Sequence, residues 1–285
     1  MPFGYRTVYS MSIAEGRFDG YPCSQHGAPA LTRVTRASGH SMDGLREASG
    51  HSMDGRREDA NDDPESRVLC IAEKPSVARA VAVALSGGKH CTRGTHGPLQ
   101  THMLYSYFAP ARRRCSIAVT SVVGHVFSLD FLAGAEKRGD LSSIFAAKTH
   151  KVVEETSERL GVVEHLRQQA QGCDWLCLWL DCDREGENIC FEVLSLLPQF
   201  SAERVWRAKF SAVTEREVRG AWAGLGKPNA NESAAVDARQ ELDLKVGVVF
   251  TRMLTRALRD AARRRFALPS LRLLSFGPCQ TPTLW

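Results

Sequence analysis

Leu178-Trp179-Leu180-Asp181-Cys182-Asp183-Arg184-Glu185-Gly186-Glu187-Asn188 is the stretch that decides how this chain reads. An apolar run ends abruptly in carboxylates at alternate positions, Asp181, Asp183 and Glu185. Side chains at i, i+2 and i+4 of an extended segment share a face, so these carboxylates are expected to converge beyond a strand end. Ionised carboxylates held together repel and raise one another's pKa unless a cation joins them. Oxygen-only ligands favour a hard ion, Mg²⁺ foremost, and Mg²⁺ held in this way serves phosphate chemistry. Alone, the run would read as a solvated acidic turn between a buried strand and a helix. The apolar strand before it, the turn residue Gly186 and the helix-like run from Ile189 to Leu197 favour the metal site.

Upstream, Val68 to Ala72 reads as a buried strand, Glu73-Lys74-Pro75-Ser76 as a loop with Ser76 as helix N-cap. Val77, Ala80, Val81, Ala84 and Leu85 form a helical stripe that Gly87-Gly88 ends. Ser116 to Val123, Trp175 to Leu180 and Val205 to Phe210 are further strand-like runs. Apolar strands alternating with helices predict an α/β fold on a parallel or mixed sheet. Downstream, Thr214-Glu215-Arg216-Glu217 is a capping-box pattern. Ser233 to about Arg265 reads as helix with a break near Gly247, carrying Arg252, Arg256 and Arg259 on one face. That face reads either as solvated or as one that follows phosphates.

The first 66 residues differ from the rest. Ala37 to Glu47 repeats almost exactly as Ala48 to Glu58, rich in Ser, Gly and Asp. Such a segment cannot bury a core and is expected to be disordered. Residues 1–66 carry 7 Lys and Arg against 10 Asp and Glu, net −3, whereas the remainder carries 30 against 22, net +8. A basic body around an acidic cluster suits a polyanionic substrate. The 9 cysteines form no CxxC pairs and read as reduced, mostly buried thiols rather than a zinc ribbon. No apolar run reaches the roughly 18 to 20 residues that span a bilayer, and no secretory leader is legible at the start.

Strand–Glu73-Lys74-Pro75-Ser76–helix and strand–DxDxEGE–helix together resemble the Toprim domain of topoisomerases, primases and some nucleases. Thr120 to Phe131, Ala208 to Ala212, Val236 to Leu244 and Ser275 to Leu284 resemble type IA DNA topoisomerases, in wording nearest their topoisomerase III beta branch. The resemblance runs from about Arg67 to Leu284 and leaves residues 1–66 uncovered. It implies a Rossmann-like Toprim domain over 67–212 and part of a mainly helical, strand-binding domain over 213–285. Such enzymes cut one strand by transesterification to a tyrosine, pass another strand and reseal it without ATP. On that resemblance Glu73 is the acid beside the scissile phosphate, Lys74 neutralises phosphate charge, and Glu73, Asp181, Asp183 and Glu185 are candidate Mg²⁺ ligands. His125, Arg239 and Gln280 would lie along the nucleic-acid path. Read without the resemblance, Arg239 would pair with Asp243 along its helix, and Trp179 and Phe191 would be core residues.

The resemblance further implies single-stranded DNA, or RNA, as substrate, a Tudor-domain scaffold as partner, no membrane, and the nucleus, with the cytoplasm second. None of the 5 tyrosines (Tyr5, Tyr9, Tyr21, Tyr105, Tyr107) has the context of the family's nucleophile. The chain is therefore expected to be a fragment that does not cut strands by itself. The competing expectations are a nucleic-acid-binding fragment and another Toprim enzyme, a primase or nuclease.

Overall fold

The computed structural model describes residues 66–94, 99–132, 140–266, 273–278 and 280–283. The expected disordered segment lies outside the described residues, Ser66 excepted. In chain order the elements are β1 (Arg67–Ala72), α1 (Pro75–Ser86), β2 (Cys91–Arg93), β3 (Thr101–Phe108), β4 (Arg113–Ser121), β5 (Phe127–Phe131), α2 (Leu141–Phe145), β6 (Thr149–Val153), α3 (Glu155–Arg159), α4 (Val162–Gln169), β7 (Trp175–Trp179), α5 (Arg184–Leu196), β8 (Val205–Arg207), α6 (Glu215–Ala223), α7 (Ala230–Phe266) and α8 (Gln280–Thr283).

The main sheet has the order β2-β3-β4-β1-β7-β8. β4, β1, β7 and β8 run parallel, while β3 is antiparallel to β4 and β2 to β3. Alternation sorts the side chains of each central strand onto two faces. Val68, Cys70, Ala72, Cys177 and Trp179 join one core with Val77 and Val81 of α1 and with Val218 and Trp222 of α6. Leu69, Ile71, Leu176 and Leu178 join the other, with Leu166 of α4 and Ile189 and Val193 of α5. Both faces are thus covered, as a parallel sheet requires. Trp179 is wholly buried and stacks near Trp222, and Phe191 packs against the second core. β5 and β6 form a separate antiparallel pair, and Phe131 packs with Ile144 of α2 and Val249 of α7.

Several local expectations change. α1 begins at Pro75, so Lys74, not Ser76, holds the N-cap position, and no side chain caps it. Proline at the first helical position has the right φ and needs no N–H partner there. Gly87 does end α1, in the left-handed region at φ 60°. β8 stops at Arg207, after which Ala208 N donates to Leu178 O and Phe210 packs beside Trp179. Thr214 caps α6 by accepting from Glu217 N. α7 runs unbroken for 37 residues through Gly247, where the segment around Phe276 lies alongside. Among the described residues no helix is long and apolar enough to cross a membrane.

Candidate active site

β1 lies between β4 and β7, so the loops leaving these three strands meet at one end of the sheet. Such a switch point is where open α/β sheets bind ligands. Glu73 and Lys74 leave β1, Gly124 and His125 follow β4, and Asp181 follows β7. The loops are stitched by backbone bonds, Val122 N to Ala72 O at 2.9 Å and Gly124 N to Glu73 O at 3.2 Å.

Lys74 is the hub. Its Nζ lies 3.1 Å from Asp181 Oδ2 and 3.2 Å from Glu73 Oε1. Hydrogen bonding to Asp181 first, and then to Glu73, raises the ammonium's pKa. Glu73 turns its other oxygen to the backbone N–H of Asp181, at 3.1 Å. Side-chain exposure is 12% at Glu73, 39% at Asp181 and 54% at Lys74, so a solvent-borne anion can reach the ammonium.

The alternate-position geometry expected for Asp181, Asp183 and Glu185 is not formed. The chain turns helical at Arg184, and Asp183 becomes the N-cap of α5, its Oδ1 accepting from Gly186 N at 2.7 Å. Glu185, in the first turn, points to other partners: His125 Nε2 at 3.2 Å and Arg239 Nη2 at 2.6 Å. Among the described residues no group of three or more His, Cys, Asp and Glu side chains is assembled to hold a metal ion. The donors still suit a hard cation in part. Glu73 and Asp181 already share a cation, the Lys74 ammonium, and offer only oxygen. Asp183 has one oxygen committed to the helix cap, and Glu185 is engaged elsewhere.

His125 lies between two carboxylates, with Nδ1 3.0 Å from Glu192 Oε1 and Nε2 3.2 Å from Glu185 Oε2. Carboxylates only accept, so both ring nitrogens donate and the imidazolium is favoured. The Glu192 hydrogen bond raises its pKa against the opposing effect of burial, and Glu185 adds to the rise. Arg239 pairs with Glu185 rather than with Asp243, joining α7 to the start of α5. Gln280 falls in α8, but its side chain lies outside the described ones.

Sequence reasoning missed the groups beneath this surface. Arg207 is wholly buried and donates from Nε to Glu187 Oε1 at 3.0 Å, from Nη1 to Leu180 O and Ala208 O at 2.8 Å each, and from Nη2 to Asp181 O at 2.8 Å. Glu187 also accepts from Asn229 N, ahead of α7, at 2.9 Å. Asn188 Nδ2 bonds Ser233 O and Asp237 Oδ1 of α7 at 3.1 and 2.8 Å. Glu192 accepts from Val126 N at 2.8 Å besides holding His125. The available signal was an arginine inside an apolar strand and carboxylates on the core-facing side of a helix, both of which demand a partner when buried.

The Toprim domain family matches residues 68–213, which hold Glu73, Lys74, His125 and the whole Asp181–Glu187 turn. The chain belongs to the Toprim family. This Toprim chain is 44% identical over 222 residues to DNA topoisomerase 3-beta from Oryza sativa subsp. japonica, covering 76% of this chain and 24% of that protein. It is 43% identical over 229 residues to human DNA topoisomerase 3-beta-1, covering 76% and 25%. The chain thus spans about a quarter of the length of the relatives it matches. Among solved structures, full-length topoisomerase I from Thermotoga maritima matches 67% of this chain and 26% of its own, at 20% identity and a TM-score of 0.42.

Proposed function

We propose that this Toprim chain supplies the phosphate- and metal-handling part of a type IA, topoisomerase III-like enzyme, which cuts and reseals one strand of DNA, or of RNA, without ATP. The observation that carries the reading is the Lys74 ammonium held between Glu73 and Asp181 at the switch point. The names of its relatives, DNA topoisomerase 3-beta, support it.

In this reading Lys74 neutralises a non-bridging oxygen of the scissile phosphate, since half of its side chain is open to solvent. Glu73, largely buried beside it and ionised against the Lys74 ammonium, would take up the proton that the attacking tyrosine hydroxyl gives up and pass it to the departing 3′-oxygen, and the reverse on resealing. Glu73, Asp181 and Asp183 would hold Mg²⁺, which orients the phosphate and stabilises its charge. Glu185 stands off, engaged by His125 and Arg239, which flank the path of the strand.

A second reading applies to the chain by itself. Tyr105 lies opposite Ser116, and Ala72, at the catalytic end, lies opposite Ser121. Five residues of strand, roughly 16 Å, separate these two rows, so neither Tyr105 nor Tyr107 can be the nucleophile at Lys74. By itself the chain is a strand-binding module.

The test is calorimetric titration of the chain with Mg²⁺, beside Asp181→Asn with Asp183→Asn, and a relaxation assay on supercoiled DNA. Mg²⁺ binding that the double substitution abolishes, without relaxation, is expected. Equal binding by both proteins would sink the metal assignment, and relaxation by the chain alone would sink the binding-module reading.

A further inference from the structure

The end of the sheet remote from Lys74 carries a surface that the cleavage chemistry does not use. On β3, Tyr105 and Tyr107 are 57% and 55% exposed, although they lie in the middle and at the end of a regular strand. Register places them on one face with cationic neighbours. Tyr107 pairs with Arg114 of β4, and Tyr105 with Ser116, which in turn pairs with Arg67 of β1. Directly opposed residues share a face of the sheet. One row further on, Met103, Ala118 and Leu69 of this same face pack into the core with α4 and α5. The helices therefore cover that row and stop short of the tyrosines. Ser116, small and buried between Tyr105 and Arg67, keeps the row low.

Two further observations set the patch apart from an ordinary solvated strand. Arg112, at the tip of the β3–β4 turn, has φ 54° and is the one non-glycine residue with positive φ among the described residues. That conformation closes the turn, with Arg112 N donating to Ala109 O at 3.0 Å, and it sets an exposed guanidinium at the tip of the hairpin. β2 pairs only with Thr101 to Met103 of β3, so beyond Met103 the outer edge of β3 carries no strand partner among the described residues. There Tyr107 O accepts from Trp222 Nε1 at 2.8 Å, which fixes the strand beneath the tyrosines. Asp174 is an acidic neighbour, its carboxylate accepting from the backbone N–H of Arg67 at 3.0 Å.

We propose that Tyr105, Tyr107, Arg67, Arg112 and Arg114 form a second docking surface for single-stranded nucleic acid, in which bases stack on the tyrosines and phosphates follow the arginines. Flat aromatic rings on a sheet beside cations are what unpaired bases and their backbone require. Charge complementarity selects this occupant over an apolar segment, because the rings are flanked by guanidinium groups. The inference rests on the nucleic-acid reading above and deepens it: a strand held at the catalytic end can be gripped a second time at the far end of the same sheet.

The experiment is fluorescence anisotropy of a labelled oligothymidylate titrated with the full chain, without Mg²⁺, for wild type, Tyr105→Ala with Tyr107→Ala, and Tyr105→Phe with Tyr107→Phe. Photo-crosslinking from thymine analogues maps the contacts, and sedimentation reports the oligomeric state. Both tyrosines are exposed, so the substitutions spare the core. The alanine pair is expected to weaken binding by about tenfold per ring, as stacking of about 1.4 kcal/mol implies. The phenylalanine pair is expected to bind as wild type, with crosslinks on β3. Equal affinity of the alanine pair and wild type, with crosslinks confined to the Lys74 and Arg239 side, would overturn the inference and leave the catalytic reading intact. Self-association abolished by the alanine pair, with oligonucleotide binding unchanged, would assign the face to a second copy and overturn it as well. No binding by wild type, with or without Mg²⁺, would overturn both readings.

Discussion

Arg207 Nη2 donates a 2.8 Å hydrogen bond to the backbone oxygen of Asp181, while Asp181 N donates to Glu73 Oε2 at 3.1 Å. The residue that offers its carboxylate to Lys74 is thus fixed from both sides of its own peptide units. Arg207→Met would take from Glu187, 2% exposed, its buried cationic partner, leaving it the Asn229 N–H and the exposed Lys209 ammonium 4.0 Å away. Breaking a buried pair from one side costs about 3 to 5 kcal/mol. Urea unfolding is expected to show that loss. In the folded protein at low temperature, Mg²⁺ binding is expected to weaken too, because the Leu180–Asp181 carbonyls lose their common donor. A stability loss with unchanged Mg²⁺ affinity would make Arg207 a purely structural residue.

Gly186 meets Asp181 from the other direction. A Cβ placed on Gly186 would lie 2.0 Å from Asp181 O and 2.9 Å from its carbonyl carbon, both backbone atoms. No rotamer relieves such a clash, so either the first turn of α5 or the Asp181 loop must move. Gly186→Ala is therefore expected to destabilise the fold by about 2 to 3 kcal/mol and to disturb the Lys74–Asp181 pair. A thermal melt that matches wild type would show that the loop yields freely.

His125 gives a pH signature. Its pKa is raised in the fold, chiefly by the hydrogen bond to Glu192. A raised pKa means that the folded state binds the proton more tightly than the unfolded one. The stabilisation is complete below the ordinary histidine pKa of about 6.5 and is lost as pH rises through the folded value. His165 runs the opposite way, because burial lowers its pKa, and its contribution is lost on acidification. The readout is consequently the difference between wild type and His125→Gln in urea unfolding. That gap is expected to be full below about pH 6.5 and to shrink as pH rises above it. A gap that widens with pH would refute the imidazolium assignment.

Much of this was legible in the chain, for identifiable reasons. The strand from Val68 to Ala72, the helical stripe from Val77 to Leu85 and the αL stop at Gly87 are local, and local periodicity reports them. The turn at Asp181–Glu187 was legible as a strand-to-helix junction. Its carboxylates were misplaced because extended spacing was carried past Asp183, where the helix already begins. Arg239 shows the limit of pattern reading. An i+4 partner, Asp243, was available along the helix, yet Glu185 on α5 is the partner the fold brings to it. Arg207, Glu187 and Glu192 escaped notice because their partners, the Arg207–Glu187 pair itself, His125 and several backbone atoms, lie far apart in sequence, which no spacing rule encodes.

Glu185 separates position in the sequence from position in the site. It lies between the other acids of the DxDxEGE run, yet its oxygens go to Arg239 at 2.6 Å and His125 at 3.2 Å. Arg239 is 57% and Glu185 35% exposed, so solvent screens this pair and it is worth about 1 kcal/mol or less. Glu185→Gln is accordingly expected to cost little stability. If Glu185 stands off from the cation, Mg²⁺ affinity should change by no more than about twofold, within about 0.4 kcal/mol. Asp181→Asn, which removes a charge that Lys74 and Glu73 are built around, should lower it by at least about tenfold. The contrast matters more than either value, since both substitutions remove one negative charge from the same turn. Equal losses would mean that net charge alone attracts the ion. A larger loss at Glu185 would mean that binding draws it away from His125 and Arg239, and would make the α5–α7 contact part of the metal response.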